Sequence, residues 1–396
     1  MNQPTSVHVL YETECDCSLE EQEKPVISRL YIDNYRCFVN FEWRPGMQSL
    51  LLGENGNGKT SVFEVLDLIR SAVVDGRHTS EGFPARTLTA WDQRAEQTFE
   101  VQIQGVGRTY DYRLLIEQHR EKQTCRIRSE RLTCDGVPLF AFDGKEVHLY
   151  RDDGSAGPVF PFDWSRSAIA TVPVSPDNTK LIWFRDRINR ILVFSPDPHW
   201  IAALSTREES SHDRSMHNLV SWLRHLQQES VDLLPRIRDS LRDALIGFAD
   251  LKFEKAGETG RILKLEFEVE QPGETRRFII AADWLSDGQR MLIALYSILH
   301  GVVAADTTIC IDEPDNFVSL REIQPWLVEL KDRSDDVGCQ WLMISHHPEV
   351  MDYLAAERGS WFHRVGTGPV RVRAFDCDKE GLFKPSEIVA KGLVSE

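Results

Sequence analysis

The feature that most restricts the fold of this 396-residue chain is the octapeptide GENGNGKT at residues 53–60. It matches the pattern G-x-x-x-x-G-K-[ST], in which backbone amides and a helix N-terminus point toward the phosphates of a nucleotide. An apolar run, SLLL, precedes it, and apolar residues recur at helical spacing after it, at Phe63, Leu66, Ile69 and Val73. The sequence therefore predicts a strand, a phosphate-binding loop and a helix here.

Individual positions of this loop have predicted roles. Lys59 is expected to reach the β- and γ-phosphates, and Thr60 to place its hydroxyl on Mg²⁺. The predicted nucleotide-binding residues of the loop are Gly53, Glu54, Asn55, Gly56, Asn57, Gly58, Lys59, Thr60 and Ser61. We therefore expect a nucleoside triphosphate and Mg²⁺ as the ligands of this site.

Two further strand patterns end in side chains that suit phosphate chemistry. The run from Thr307 to Ile311 ends in Asp312 and Glu313, and the run WLMI ends in SHHP, which contains His346. The carboxyl ends of parallel strands meet at one edge of a sheet, where ligands bind. We predict that Asp312 and Thr60 are the metal-binding residues, and that Glu313 and His346 are catalytic, Glu313 polarising a water and His346 bonding the γ-phosphate.

The order of strand and helix patterns predicts an α/β fold of the P-loop NTPase type, with a mostly parallel sheet. Alternating segments with turn signals from Gln97 to about Tyr150 interrupt it and predict an antiparallel β meander, and residues 215–248 read as a pair of short helices. We expect a polar lead-in at 1–25 and a single ATPase domain at 26–396. Within it, 97–160 would be an antiparallel subdomain and 207–250 a helical subdomain.

Charge and apolar content exclude some classes of protein. The formal charge of −16 argues against a wholly basic nucleic-acid binder, although it leaves local patches open. No apolar run reaches the roughly 18 residues of a membrane span, and the acidic N-terminus has no signal-peptide core. Eight cysteines without a Cys-x-x-Cys pair suit a reducing compartment. We therefore expect a cytoplasmic protein without a membrane partner.

A second glycine-containing turn, LSDGQR at residues 285–290, precedes the apolar run MLIALYSIL. Ser286 and Gln289 have the spacing of a capping box, so a helix with Ser286 as its N-cap is expected. A capped helix does not require Gly288, which lets another group approach the backbone closely. Because an exposed helix N-terminus binds anions, Ser286, Gly288 and Gln289 form a second predicted phosphate-binding turn.

The turn LSDGQR resembles the signature motif of ABC-type ATPases, usually LSGGQ. With GENGNGKT before it and CIDEPDN and SHHP after it, the order is similar to that of the SMC-like, RecF-like branch of stand-alone ATPases, including the compact AAA_21 kind. The segments IDNYRCF and SEIVAKGL also resemble that branch. The resemblance implies ATP as the nucleotide and two subunits that bind head to tail, each signature turn completing the other subunit's site.

The resemblance also implies a glutamine that senses Mg²⁺, for which Gln93 and Gln97 are both candidates. Asp287 departs from the usual glycine, so its carboxylate either lies near phosphate or points away and complements the helix dipole. The expected function is ATP hydrolysis coupled to formation of a homodimer or higher homo-oligomer that switches a separate protein effector or engages nucleic acid, as in DNA repair or anti-phage defence. The alternative is a nucleotide-gated binding scaffold with little or no hydrolysis.

Overall fold

The computed structural model describes residues 25–364, 366–376 and 383–394. The lead-in predicted at 1–25 lies outside these residues except for Pro25. The strands in the described part of the chain are β1 Val26–Asp33, β2 Phe41–Trp43, β3 Gln48–Gly53, β4 Glu96–Gly105, β5 Arg108–His119, β6 Thr124–Cys134, β7 Val137–Phe142, β8 Glu146–Tyr150, β9 Ala156–Pro161, β10 Ile191–Phe194, β11 Leu204–Ser205, β12 Phe248–Ala256, β13 Gly260–Gln271, β14 Glu274–Ala281, β15 Thr308–Asp312, β16 Gln340–Ile344, β17 Gly359–Arg364 and β18 Val370–Ala374.

The α-helices in the same ranges alternate with these strands in the first and last parts of the chain. They are α1 Lys59–Val73, α2 Thr79–Gly82, α3 Thr179–Asn189, α4 Leu219–Glu229, α5 Leu233–Ala244, α6 Asp287–Val302, α7 Leu320–Val337, α8 Pro348–Arg358 and α9 Pro385–Ala390. None of these helices combines the length and the apolar character that crossing a membrane requires.

A six-stranded sheet in the order β10-β15-β16-β3-β17-β18 forms the centre of the ATPase fold. Its strands are parallel except β18, which is antiparallel to β17. β15 and β16 are neighbours, and β16 pairs with β3, so Asp312, Ile344 and Leu51 lie side by side at the carboxyl edge. This sheet, with helices between its parallel strands, confirms the predicted α/β fold and brings together the three strand ends expected to form the site.

An eight-stranded antiparallel sheet, in the order β2-β1-β4-β5-β6-β7-β8-β9, covers α1 and one side of the central sheet. Alternating residues such as Phe99, Val101 and Ile103 of β4 are fully buried, as the period-two pattern predicts. The predicted meander is therefore present, and β9 extends it beyond Tyr150. The proposed subdomain limits at 97 and 160 stay a prediction.

A third sheet, built from β11, β12, β13 and β14, packs with α4 and α5 on the other side of the central sheet. Two of these strands were expected from the sequence, but β14 was not. Its residues Glu274 to Ile279 are exposed, so the sequence has no buried, alternating face there to detect. β17 and β18 were also not predicted. β17 follows α8 without a connecting loop, and both strands lie in a segment that was expected to be a short C-terminal tail.

Candidate nucleotide-binding site

The loop between β3 and α1 has the close packing that its glycines permit. Gly53 has φ +142°, and a β-carbon there would lie 2.3 Å from the carbonyl oxygen of Phe362 in β17. Gly58 has φ +81°, and a β-carbon there would lie 2.6 Å from Sγ of Cys37. Larger residues would collide with the neighbouring strand or the segment after β1, so the loop can keep this shape only with glycine at both positions.

Lys59 is the first residue of α1, and its ammonium group lies inside the loop. Nζ donates hydrogen bonds to the carbonyl oxygens of Gly53, at 2.6 Å, and Glu54, at 3.0 Å. Burial lowers the pKa of Lys59, while the carboxylates of Glu313, Asp312 and Glu54 oppose that change. The loop thus surrounds a cation, an arrangement that suits binding of a phosphate group.

Asp312 ends β15 beside this loop, and its side chain is buried. Its Oδ2 accepts a hydrogen bond from the Ser195 hydroxyl at 3.2 Å and lies 3.7 Å from Nη2 of Arg214. Burial raises the pKa of the Asp312 carboxyl, while a hydrogen bond from Thr60 and the charge of Arg214 oppose that rise. Oδ1 is buried without a hydrogen-bond partner.

A buried carboxylate oxygen without a partner, next to the Thr60 hydroxyl, is the donor set that Mg²⁺ prefers in nucleotide sites. Within the described ranges, no three His, Cys, Asp or Glu side chains group as an all-protein metal site. Magnesium in phosphoryl-transfer sites needs only one or two protein ligands besides phosphate and water. Thr60 and Asp312 therefore fit the ion that the sequence predicts.

Glu313 follows Asp312 and has a left-handed backbone, with φ +51°. Its N–H donates to the carbonyl oxygen of Ile344 at 2.9 Å, and its Oε2 accepts from Nδ2 of Asn316 at 2.6 Å. The backbone turn directs the side chain into a cleft of about 410 Å³, which Lys59 and Thr60 also line. A carboxylate in this place can accept a proton from a water that attacks a bound phosphate.

The two histidines after β16 have different surroundings. His346 lines the same cleft as Glu313, and burial lowers its pKa, with a smaller contribution from the charge of Lys59. His347 instead caps α8, where its Nδ1 accepts a hydrogen bond from the backbone N–H of Glu349 at 3.3 Å. Of the two, His346 is the one that faces the space expected to hold the nucleotide.

The cleft is also lined by residues that were not predicted from the sequence to belong to it, among them Arg36, Trp91 and Arg364. Nη1 of Arg36 lies 2.8 Å from Oε2 of Glu64, and Nη2 of Arg364 donates to the carbonyl oxygen of Gly56 at 2.7 Å. Trp91 is 53 % exposed. Arg36 belongs to IDNYRCF, which carries part of the family resemblance, whereas no local pattern marks the other two.

The two candidate glutamines differ in what their side chains contact. Gln97 is fully buried, and its Nε2 donates to the carbonyl oxygen of Asn34 at 3.0 Å while its Oε1 accepts from Gln118 at 2.7 Å. Gln93 is exposed and lies two residues after Trp91, which lines the cleft. The Gln97 side chain is therefore held in the core of the antiparallel sheet. Of the two, only the exposed Gln93 side chain is accessible to a bound ligand.

The signature turn forms the predicted capping box. The N–H of Ser286 donates to Oε1 of Gln289 at 3.0 Å, and the N–H of Gln289 donates to Oγ of Ser286 at 3.3 Å. Ser286 is exposed, and beside its hydroxyl the N–H groups of Asp287 and Gly288, which the capping box does not use, are the groups of this turn that an anion could accept from. A β-carbon on Gly288 would lie 2.6 Å from the carbonyl oxygen of Phe317. The close approach of Phe317 within the same chain is therefore sufficient to require glycine at residue 288, in addition to the approach of a ligand that the sequence suggests.

The chain's own cleft is lined by residues of the phosphate-binding loop, Glu313 and His346, and Ser286, Gly288 and Gln289 are not among its lining residues. The structure thus brings together the predicted residues at the carboxyl edge of the central sheet, and it places the signature turn elsewhere on the surface of the same chain. Within this chain, therefore, the two predicted groups of phosphate-binding residues lie in separate places.

Comparisons with known proteins place these features in context. Residues 49–352 match a family model described as "AAA domain, putative AbiEii toxin, Type IV TA system". The solved structure "Crystal structure of the SmcHead bound to the C-winged helix domain of ScpA" is 12 % identical, with a TM-score of 0.52, over 89 % of this chain and 99 % of that one. "SMC head domain from Thermotoga maritima" is 12 % identical over the same shares, with a TM-score of 0.48. No curated protein sequence matches significantly.

Proposed function

This chain belongs to the AAA_21 family of AAA domains, and we propose that it hydrolyses ATP held between two copies of itself arranged head to tail. The observation that carries the proposal is the division of phosphate-binding groups between two places. Lys59, Glu313 and His346 line one cleft, whereas the exposed Ser286 opens α6 outside it. A second copy would bring its Ser286 turn to the terminal phosphate in this cleft.

Each of the five predicted catalytic and metal-binding or phosphate-binding side chains at this edge of the sheet has a role in this reaction. Lys59 balances the charge of the β- and γ-phosphates, and His346 donates a hydrogen bond to an oxygen of the γ-phosphate. Glu313 accepts a proton from the attacking water, whose oxygen bonds to the γ-phosphorus while the bond to the β–γ bridging oxygen breaks. Thr60 and Asp312 would hold Mg²⁺, which supplies charge stabilisation to the phosphates.

Surface chemistry supports a second copy as the partner. Large apolar side chains are exposed around the signature turn, with exposed fractions of 68 % for Trp200, 81 % for Trp284 and 51 % for Phe317. Exposed apolar groups that lie near one another in this way are typical of protein–protein contacts.

We propose that dimer formation switches a separate protein effector. An SMC head with this fold was solved bound to the C-winged helix domain of ScpA, so the fold can hold a protein partner. The family description names a toxin–antitoxin system, which supports a role in defence over one in DNA repair. Engagement of nucleic acid is the second output that the resemblance implies, and the chain's formal charge of −16 gives it less support.

The experiment that tests this function is the solution mass of Glu313→Gln by light scattering, with and without Mg-ATP. Removing the proton acceptor should leave binding intact and trap the ATP-bound form, so the mass is expected to double on adding Mg-ATP. Lys59→Ala in the same background is the matched control and should stay at the mass of one chain. A Glu313→Gln protein that binds Mg-ATP and remains at one subunit would contradict the dimer. The rate of ATP hydrolysis by the unsubstituted chain distinguishes the two functions. Measurable hydrolysis supports an ATPase, and its absence supports a nucleotide-gated scaffold.

A further inference from the structure

Asp287 is the first residue of α6 and stands where related signature motifs have glycine. Its side chain is about one-third exposed, at a turn that, on the proposed function, receives the terminal phosphate of the second copy's nucleotide. A carboxylate and a phosphate within a few ångströms repel each other, and the cost rises as the dimer interface excludes water. The turn can work only if this charge is directed away and balanced.

Both oxygens of Asp287 lie beside basic side chains. Oδ1 lies 2.6 Å from Nη2 of Arg290, one turn along α6, and Oδ2 lies 3.3 Å from Nε2 of His199. Arg290 is largely buried, so its guanidinium is fixed beside the helix. The Asp287 carboxylate therefore lies between Arg290 on α6 and the segment that contains His199.

The ring of His199 has a carboxylate at each nitrogen. Nδ1 lies 3.0 Å from Oδ1 of Asp197, and Nε2 contacts Asp287. The ring is thus held between two carboxylates, and in its protonated form it presents an N–H to each of them and counters the charge of Asp287.

The surroundings of His199 hold it at the signature turn. Its backbone N–H also donates to Oδ1 of Asp197 at 3.1 Å, and the edge of its ring contacts Phe317, with centroids 5.1 Å apart. The carbonyl oxygen of Phe317 lies against Gly288. Four residues before His199, the Ser195 hydroxyl bonds Asp312. One short segment thus joins the signature turn to the carboxylate proposed to bind Mg²⁺.

We propose that His199 and Arg290 are positioning residues for the signature turn. They hold the Asp287 carboxylate beside α6 and balance its charge, so that the Ser286 hydroxyl and the amides of α6 can receive the terminal phosphate of a nucleotide bound by a second copy. This inference rests on the proposed head-to-tail dimer. It explains how this chain keeps an acidic residue in a phosphate-binding turn.

The test compares His199→Gln with His199→Gln/Asp287→Gly, both in the Glu313→Gln background. Glutamine keeps a hydrogen-bonding side chain but cannot carry a positive charge, so the concentration for half-maximal ATP-dependent dimerisation should rise about tenfold. Asp287→Gly removes the carboxylate that needs balancing, so the double variant should dimerise as the Glu313→Gln parent does. The mass of each variant is measured by light scattering over a series of protein concentrations. Binding of a fluorescent ATP analogue is measured at protein concentrations too low for dimerisation, so that nucleotide binding by the single chain is compared separately.

His217→Gln is the matched control, because His217 makes a similar exposed pair with Asp213, at 2.9 Å, outside the turn. It should dimerise as the parent does. If His199→Gln has no effect, or if Asp287→Gly does not restore dimerisation to it, charge balance at Asp287 is not the role of His199, and the inference is overturned. A Glu313→Gln parent that fails to dimerise overturns the proposed function itself, which distinguishes the two failures.

Discussion

The carbonyl oxygen of Phe317 packs so closely on Gly288 that a β-carbon at residue 288 would lie 2.6 Å from it. Phe317 has φ +71° and follows Asn316, whose Nδ2 donates to Oε2 of Glu313. The signature turn and the proposed proton acceptor are therefore joined by a loop of a few residues within one chain. A change at one of them displaces the loop that positions the other.

Gly288→Ala is expected to push this loop away from α6 and to remove the bond between Asn316 and Glu313. Overpacking of this kind costs about 1–3 kcal/mol of stability, and we expect ATP turnover to fall roughly tenfold because Glu313 loses its orientation. Binding of a fluorescent ATP analogue should be unchanged. Gly46→Ala is the control, since the nearest atom to its β-carbon would be 3.6 Å away. Parental turnover in Gly288→Ala would show that the contact does not position Glu313.

Mixing two inactive variants tests whether the site is shared between chains. Lys59→Ala should not bind nucleotide, and Ser286→Arg should bind it but not hydrolyse it. In a head-to-tail dimer of one chain of each kind, one composite site has both an intact Lys59 and an intact Ser286. Turnover is therefore expected to return on mixing. Two variants that stay inactive when mixed, each folded by circular dichroism, would argue against a composite site.

Exposed tryptophans next to the signature turn should contribute to the dimer interface. Trp284→Ser in the Glu313→Gln background is expected to weaken ATP-dependent dimerisation by about tenfold or more, since buried tryptophans are common interface hot spots. Trp164→Ser is the control, because Trp164 is 45 % exposed in the segment after β9. The measurement is mass against protein concentration at saturating Mg-ATP. Equal behaviour of the two variants would place the interface elsewhere.

The two candidate glutamines can be separated by substitution. Gln93→Ala should slow Mg²⁺-dependent hydrolysis if Gln93 senses the ion, and it should leave the unfolding free energy unchanged, because the side chain is exposed. Gln97→Ala should instead cost about 1–3 kcal/mol of stability, since it leaves Gln118 and Asn34 without their buried partner. Turnover is measured across Mg²⁺ concentration, and stability by urea unfolding. A stable Gln97→Ala protein with altered Mg²⁺ dependence would reverse the assignment.

Much of the fold could be predicted because its signals are local. The phosphate-binding loop, the strand before Asp312 and the strand before Ser345 each combine an apolar run with a polar end, and the rule for parallel sheets places those ends together. The capping box at Ser286 is likewise a pattern within four residues. The catalytic and binding roles of these side chains stay predictions.

The remaining features could not be predicted because they depend on contacts distant in sequence. Arg364 bonds the carbonyl oxygen of Gly56 from 308 residues away, and Arg214 reaches Asp312 from another loop. β14 lacks a buried face, so the alternation that marks a strand is missing from its sequence. His199 was not assigned a role because only the folded chain brings it to Asp287.

Glu130, in the core of the antiparallel sheet, makes stability depend on pH. Burial raises the pKa of its carboxyl to about 7, although hydrogen bonds from Ser167 and Tyr112 oppose the rise. Between about pH 4.5 and pH 7 the folded state binds more protons at this group than the unfolded state, so stability falls as pH rises, by at most about 3 kcal/mol. Glu130→Gln should remove this slope, which urea unfolding from pH 5 to 8 measures, whereas the exposed Glu121→Gln should keep it. An unchanged slope in Glu130→Gln would mean that Glu130 is ionised in the folded protein throughout this range.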